Sequence, residues 1–225
     1  MTDASELLGA MQFADGLFPA GGFATSNGLE QLSGGRRIPA SQLDTFFARE
    51  IEGRFGPFER VIAVLAHRAV ADPTSLIQLD ARVERMTWAS AQREASAQAG
   101  RGILTAAVKL GLPGAAETMA RVRAGRLRPH QPVALGAVLA MAGISEQTAQ
   151  LVAGHRFLAG LANAAIRLGL TGAIGAQQAV TRHRDDLACW AGKTVPGDAL
   201  PTSFSPFADI AMMRHRRSDT RLFAT

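Results

Sequence analysis

Apolar residues recur along this chain at spacings of three and four, punctuated by glycine, proline and small polar residues, and convincing runs of alternating β-branched residues do not occur. The pattern predicts a first helix from near Asp3 to about Phe13, with Asp3 as cap and Glu6 completing a capping-box pair, closed by Asp15-Gly16. After the loop Leu17-Phe18-Pro19-Ala20-Gly21-Gly22-Phe23 comes a short helix capped by Ser26 and stopped by Gly34-Gly35. Ser41-Gln42-Leu43-Asp44 opens the next helix, and Gly56-Pro57 separates it from another that runs to Asp72-Pro73. Helices over 75–88 and 90–110 follow, the second closed by Gly111-Leu112-Pro113, and a shorter one ends at Gly125. Residues 126–132 hold two prolines and two arginines and read as a linker. Beyond them 133–143, 145–168 and 173–191 read as helices, the last two rich in small residues that let helices approach closely. A loop over 195–205 leads to a last helix and a basic tail. The expected fold is all-α, one irregular bundle of roughly ten helices. It should form one domain over residues 1–225, with a C-terminal tail at about 206–225.

Composition sharpens that picture. Apolar residues make up 47% of the chain and aromatic ones 6%, with no tyrosine, a mixture that favours helix over sheet. Cys189 is the only cysteine, so the chain offers neither an internal disulfide nor a Cys-pair metal site, as fits a reducing compartment. The N-terminus lacks the basic and then apolar layout of a signal peptide, and the uncharged stretches 133–144 and 157–166 are shorter than the ~20 residues that span a bilayer. The expectation is a cytoplasmic protein with no membrane contact, in which both stretches are buried helices. Net charge is +5, and arginine supplies nearly all of it because only Lys109 and Lys193 are lysines. Such a chain meets either nucleic acid or acidic protein surface. A basic helical nucleic-acid binder is the alternative reading, set back by the dispersal of the arginines.

Motifs for chemistry do not appear. No Walker pattern or strand-borne GxGxxG marks a nucleotide site, and neither HExxH nor CxxC is present. His67, His130, His155, His183 and His215 are scattered, so no metal or cofactor is expected. Ala24-Thr25-Ser26-Asn27-Gly28 lacks the first glycine and the preceding strand of a nucleophile elbow, which leaves Ser26 as a helix cap. Cys189, Trp88 and Trp190 read as core residues, and Asp185-Asp186 and the pair Glu50 and Glu52 as solvated charged faces. The chain is therefore not expected to be an enzyme. Two segments remain that folding alone does not account for. One is the aromatic, glycine-paired loop at Phe18 to Phe23. The other is the tail, where Arg214, Arg216, Arg217 and Arg221 surround His215 before the apolar pair Leu222-Phe223, a layout suited to docking on a partner.

These two ends carry a family resemblance. Asp15-Gly16-Leu17-Phe18-Pro19-Ala20-Gly21-Gly22-Phe23-Ala24-Thr25-Ser26-Asn27-Gly28-Leu29-Glu30 resembles the N-terminal signature of the urease accessory protein UreF family. Pro206, Asp209-Ile210-Ala211, Met213-Arg214-His215 and Arg221-Leu222-Phe223 are similar to that family's ending. Between them Arg93-Glu94-Ala95-Ser96 with Gly100-Arg101, His130 with Pro132-Val133 and Gly136, and Ala165-Ile166-Arg167-Leu168 with Gly172 and Gln177 fall in the family's order. Arg216 stands where the family usually has glutamate, and Thr25 where His or Tyr is common. The resemblance implies an all-helical, usually dimeric protein without a catalytic site or cofactor. It would bind UreD (also called UreH), recruit the GTPase UreG and dock on apo-urease, coupling GTP hydrolysis to nickel delivery. The partner-binding residues it implies are Phe18, Pro19, Gly21, Gly22, Phe23, Ser26, Gly28 and Glu30 near the N-terminus, and Asp209, Met213, Arg214, His215, Arg221, Leu222 and Phe223 in the tail.

Overall fold

The computed structural model describes residues 3–19, 25–34, 38–215 and 222–223, and no strand occurs among them. The helices are α1 (Ala4–Ala14), α2 (Leu29–Ser33), α3 (Ala40–Glu50), a π-helical segment (Ile51–Glu59), α4 (Arg60–Arg68), a 3₁₀ turn (Ala69–Ala71), α5 (Pro73–Met86), α6 (Ser90–Lys109), α7 (Ala115–Arg123), α8 (Gln131–Met141), α9 (Glu146–Arg167), α10 (Ala173–Arg182), α11 (Arg184–Gly192) and α12 (Pro206–His215). An irregular all-α arrangement is thus what the sequence pattern specifies.

Helix α8 has apolar side chains on every face, so it has no face to turn to water and lies inside. Its residues from Pro132 to Leu139 are all buried. Helix α4 packs along it, α6 and α9 close on it, and α9 in turn carries α1, α10 and α11. A methyl group at Gly136 would run into the Ala63 carbonyl, so glycine is what lets α8 approach the α4 backbone so closely. Phe47, Ile51, Phe55, Ile103, Leu104, Leu139 and Leu158 are almost wholly enclosed, each stabilising the fold by about 1.5–3 kcal/mol relative to exposure.

Several local expectations are corrected. Asp3 holds the N-cap position of α1 but its side chain makes no cap bond. Glu6 reaches instead to α9, where its carboxylate accepts the Ser145 N–H at 2.9 Å and the Ser145 hydroxyl. Gly56-Pro57 does not end a helix: the chain runs from α3 through the π segment into α4. Pro57 has no N–H to give to the ladder of this segment, and two of the segment's carbonyls, Gly53 and Pro57, are bonded from outside. The Phe204 N–H takes the Gly53 carbonyl at 2.8 Å, and Thr202 N–H takes the Pro57 carbonyl at 3.0 Å. The π segment thus receives the extended residues 201–205 as an outside bonding partner. Residues 126–132 are no free linker, because the Asp80 carboxylate accepts the backbone N–H groups of Arg128 at 2.8 Å and His130 at 2.9 Å. The predicted helix over 173–191 breaks at His183, whose ring bonds Asp186 at 2.9 Å and approaches Asp44 of α3 at 3.3 Å.

Three side-chain assignments also change. Trp88 is 80% exposed, because it lies between α5 and α6 in an extended elbow and not at a helical position. Cys189 is exposed on α11, which buries only Leu187 and Ala191. Glu50 is buried against Arg54, while Glu52, Asp185 and Asp186 are solvated.

Candidate docking site at the joined termini

The N-terminal segment is held from both sides. The Asp15 carboxylate accepts the Leu17 N–H at 2.7 Å, turning the chain after α1. That turn drops the Phe18 ring, 8% exposed, against Phe13 at 4.9 Å between centroids. The Arg156 guanidinium covers Phe18 at 5.7 Å and donates to the Phe13 carbonyl at 2.6 Å. Phe18 therefore anchors the loop to its own core, while Pro19 is exposed. Gly21, Gly22 and Phe23 lie outside the described residues.

Further on, Ser26 is wholly buried and its hydroxyl accepts the Glu30 N–H at 3.4 Å, filling one of the free donors at the start of α2. Asn27 and Gly28 both have positive φ, 49° and 81°. At Gly28 two demands coincide: the left-handed backbone, and an opening in which a methyl group would meet the Ala208 carbonyl oxygen at 2.8 Å and the Ala211 methyl at 3.0 Å. Those two alanines belong to α12. The structure thus brings the two terminal motifs into direct contact.

Helix α12 is two-faced. Ala208, Ala211 and Met212 are buried, whereas Phe207 is 67%, Ile210 47% and Met213 42% exposed, with Phe204 just before the helix at 81%. Arg214 is exposed at its end, and the His215 side chain lies outside the described residues. Farther along, the Glu30 carboxylate accepts the backbone N–H groups of Leu222 at 2.8 Å and Phe223 at 3.3 Å. Phe223 is buried under the Arg167 guanidinium, 4.2 Å from its ring centroid, and Leu222 points to solvent. Arg221 lies outside the described residues.

A buried charge cluster underlies α12. Arg54 of the π segment is ion-paired with Glu50 at 2.8 Å and with Asp209 of α12 at 2.6 Å. Glu59 lies within the field of Arg54 and Glu50, and burial pushes its carboxyl up to about 7. Burial raises Glu50 as well, against the pull of Arg54. Glu50 and Glu59 share one nearby guanidinium, and burial favours the neutral form of both, so these two carboxyls hold protons more readily than free carboxylates do.

Of the sequence-predicted residues, the structure therefore joins Ser26, Gly28, Glu30, Asp209, Leu222 and Phe223 in one assembly, with Met213 and Arg214 on its rim. Phe18 is separate, in the α1–α9 core. Arg54 was not singled out by sequence reasoning, Glu50 was read only as part of a solvated face, and Arg167 only as part of a family segment. The spacing of four between Glu50 and Arg54 is a helical ion-pair signal that was available. Nothing local points Arg167 toward the tail. Among the described residues, no three His, Cys, Asp or Glu side chains are grouped to hold a metal ion, and no helix is long and apolar enough to cross a membrane.

The family model for UreF matches residues 39–184. The urease accessory protein UreF of Trichodesmium erythraeum (strain IMS101) is 30% identical over 99% of this chain and 98% of its own length. The proteins of the same description from Mycobacterium sp. (strain JLS) and Arthrobacter sp. (strain FB24) are 31% and 29% identical, over 100% and 96% of each chain respectively. The family model leaves both terminal segments outside its span, whereas these alignments run through nearly the whole chain.

Proposed function

We propose that the chain, which belongs to the UreF family of urease accessory proteins, is a non-catalytic helical scaffold that holds UreD (UreH) through α12 and the tail. In this reading it also recruits the GTPase UreG and docks on apo-urease, so that GTP hydrolysis drives insertion of nickel as cargo. It works in the cytoplasm as one domain, and as a homodimer within the complex. The observation that carries the reading is α12 itself. One face of the helix is fixed on Gly28 and Arg54, while Phe207, Ile210 and Met213 stand in water, an apolar ridge of the kind that partners cover.

A non-catalytic role fits how several polar side chains among the described residues are used. Ser26 is enclosed with its hydroxyl bonded to the Glu30 amide, His130 is buried beside Glu84 of α5, and His183 beside Asp186 and beside Asp44 of α3. Phe18 contributes by anchoring the chain after α1 to the α1–α9 core.

The test is co-purification of UreD with the full chain carrying Phe207→Asp and Met213→Asp. Both side chains are exposed, so the helical circular dichroism should be unchanged while UreD recovery falls at least about tenfold, as expected when anchors of an interface are replaced by charge. Recovery equal to wild type would overturn the assignment of α12 as the UreD-binding element.

A further inference from the structure

Trp88 presents its indole to water on a backbone that is firmly held. Arg93 Nη1 donates to the carbonyls of Thr87 and Trp88 at 2.7 and 2.9 Å. The Thr87 hydroxyl donates to the Val83 carbonyl at 2.9 Å, and Arg93 is itself ion-paired with Glu84 at 3.3 Å. An exposed indole on a backbone held in this way has only its own side-chain torsions left to order when a partner covers it, which suits an interface anchor.

Beside the elbow runs a groove of about 500 Å³ leading to α12, with Phe58, Met86 and Trp88 on one wall and Ile210 and Met213 on the other. Its polar floor, Arg54 with Asp209, is already paired. Two arginines neighbour its lining residues along the chain. Arg82, one helical turn before Met86, and Arg214, next to Met213, are both exposed, and neither makes an ion pair among the described residues. The interior accepts apolar side chains and the two arginines attract carboxylates.

We propose that this groove, anchored by Trp88, continues the α12 docking surface and receives an apolar segment of the partner protein flanked by acidic residues. The proposal rests on the reading of α12 as the partner-binding helix, and its test separates the two. Wild-type and variant full-length chains with different tags are co-expressed with a limiting amount of UreD from the same source. Complexes are captured through UreD, and the ratio of the two chains in the eluate is read by mass spectrometry.

Trp88→Ala should be depleted at least about tenfold and Trp88→Phe less. Arg82→Glu should be depleted several-fold, with the deficit shrinking as salt rises. Melting temperatures of the free variants should match wild type, because each altered side chain is exposed. Trp88→Ala captured as well as wild type overturns the groove. Phe207→Asp, run in parallel, reports on α12 outside the groove lining: its depletion with normal capture of Trp88→Ala upholds α12 and overturns the groove. Depletion of Trp88→Ala alone upholds the groove as a docking site and overturns the α12 reading. Normal capture of both overturns both.

Discussion

Glu59 links a single carboxyl group to the stability of the surface that α12 rests on. Its folded value of about 7 lies above the ordinary 4.5 because burial disfavours the charged form. Between those two values the folded chain keeps a proton that the unfolded chain has released, so stability must fall as pH rises through that window. The contribution is complete below 4.5 and gone above 7, with a slope of at most about 1.4 kcal/mol per pH unit for one group. Asp80, also raised to about 7 by burial, adds in the same direction at the α5–α8 junction. Urea denaturation between pH 5 and 8 should therefore show a declining midpoint. Glu59→Gln should flatten part of that decline by fixing the neutral form, and an unchanged pH profile in that variant would remove Glu59 from the account.

At the scale of elements, the junction of α3, the π segment and α12 is joined by polar groups as well as apolar packing. Arg54 is 3% exposed and Glu50 2%, so removing the guanidinium leaves a buried carboxylate without its partner. Arg54→Met should cost about 3–5 kcal/mol by urea denaturation. Asp209 is 35% exposed, and water replaces part of what it loses, so Asp209→Asn should cost only about 1 kcal/mol. Equal costs would show that the cluster is not the graded structure its burial indicates.

The same junction marks how far the sequence is legible. Helix stops at Gly34, Gly111, Gly125 and Gly143 were readable because each has positive φ, which glycine adopts without strain. The apolar runs announced α8 and α9. Pro57 was misread, since a proline in a helical pattern signals a break unless outside donors bond the segment's carbonyls, and the donors, Thr202 and Phe204, are far away in sequence. Trp88 was misplaced for a similar reason: helical spacing was extended across an elbow that Arg93 stabilises from the next helix. The terminal motifs could be recognised as segments. Their contact could not, because a positive-φ glycine does not reveal which helix packs on it.

Across the whole molecule, part of the arginine behind the +5 charge is committed to contacts within the fold. Arg54, Arg60, Arg68, Arg156 and Arg182 bond carboxylates or carbonyls that join separate helices. That leaves less cationic surface for a continuous nucleic-acid track and favours local rims around apolar ridges. Cohesion is also uneven. Helix α8 is buried from Pro132 to Leu139, whereas α2 has five residues and α12 buries one face. Local opening takes less free energy where fewer apolar side chains are buried. In the free chain, α12 amides should therefore exchange with deuterium well before those of α8, and at a rate set by local opening. Covering Phe207, Ile210 and Met213 with UreD should slow exchange in α12 by at least about tenfold, because the partner binds only the closed helix. Exchange in α8, already governed by the deepest core, should change little. If α12 in the free chain were as protected as α8, it would be an integral core helix, and the idea of a preformed but loosely held docking helix would fail.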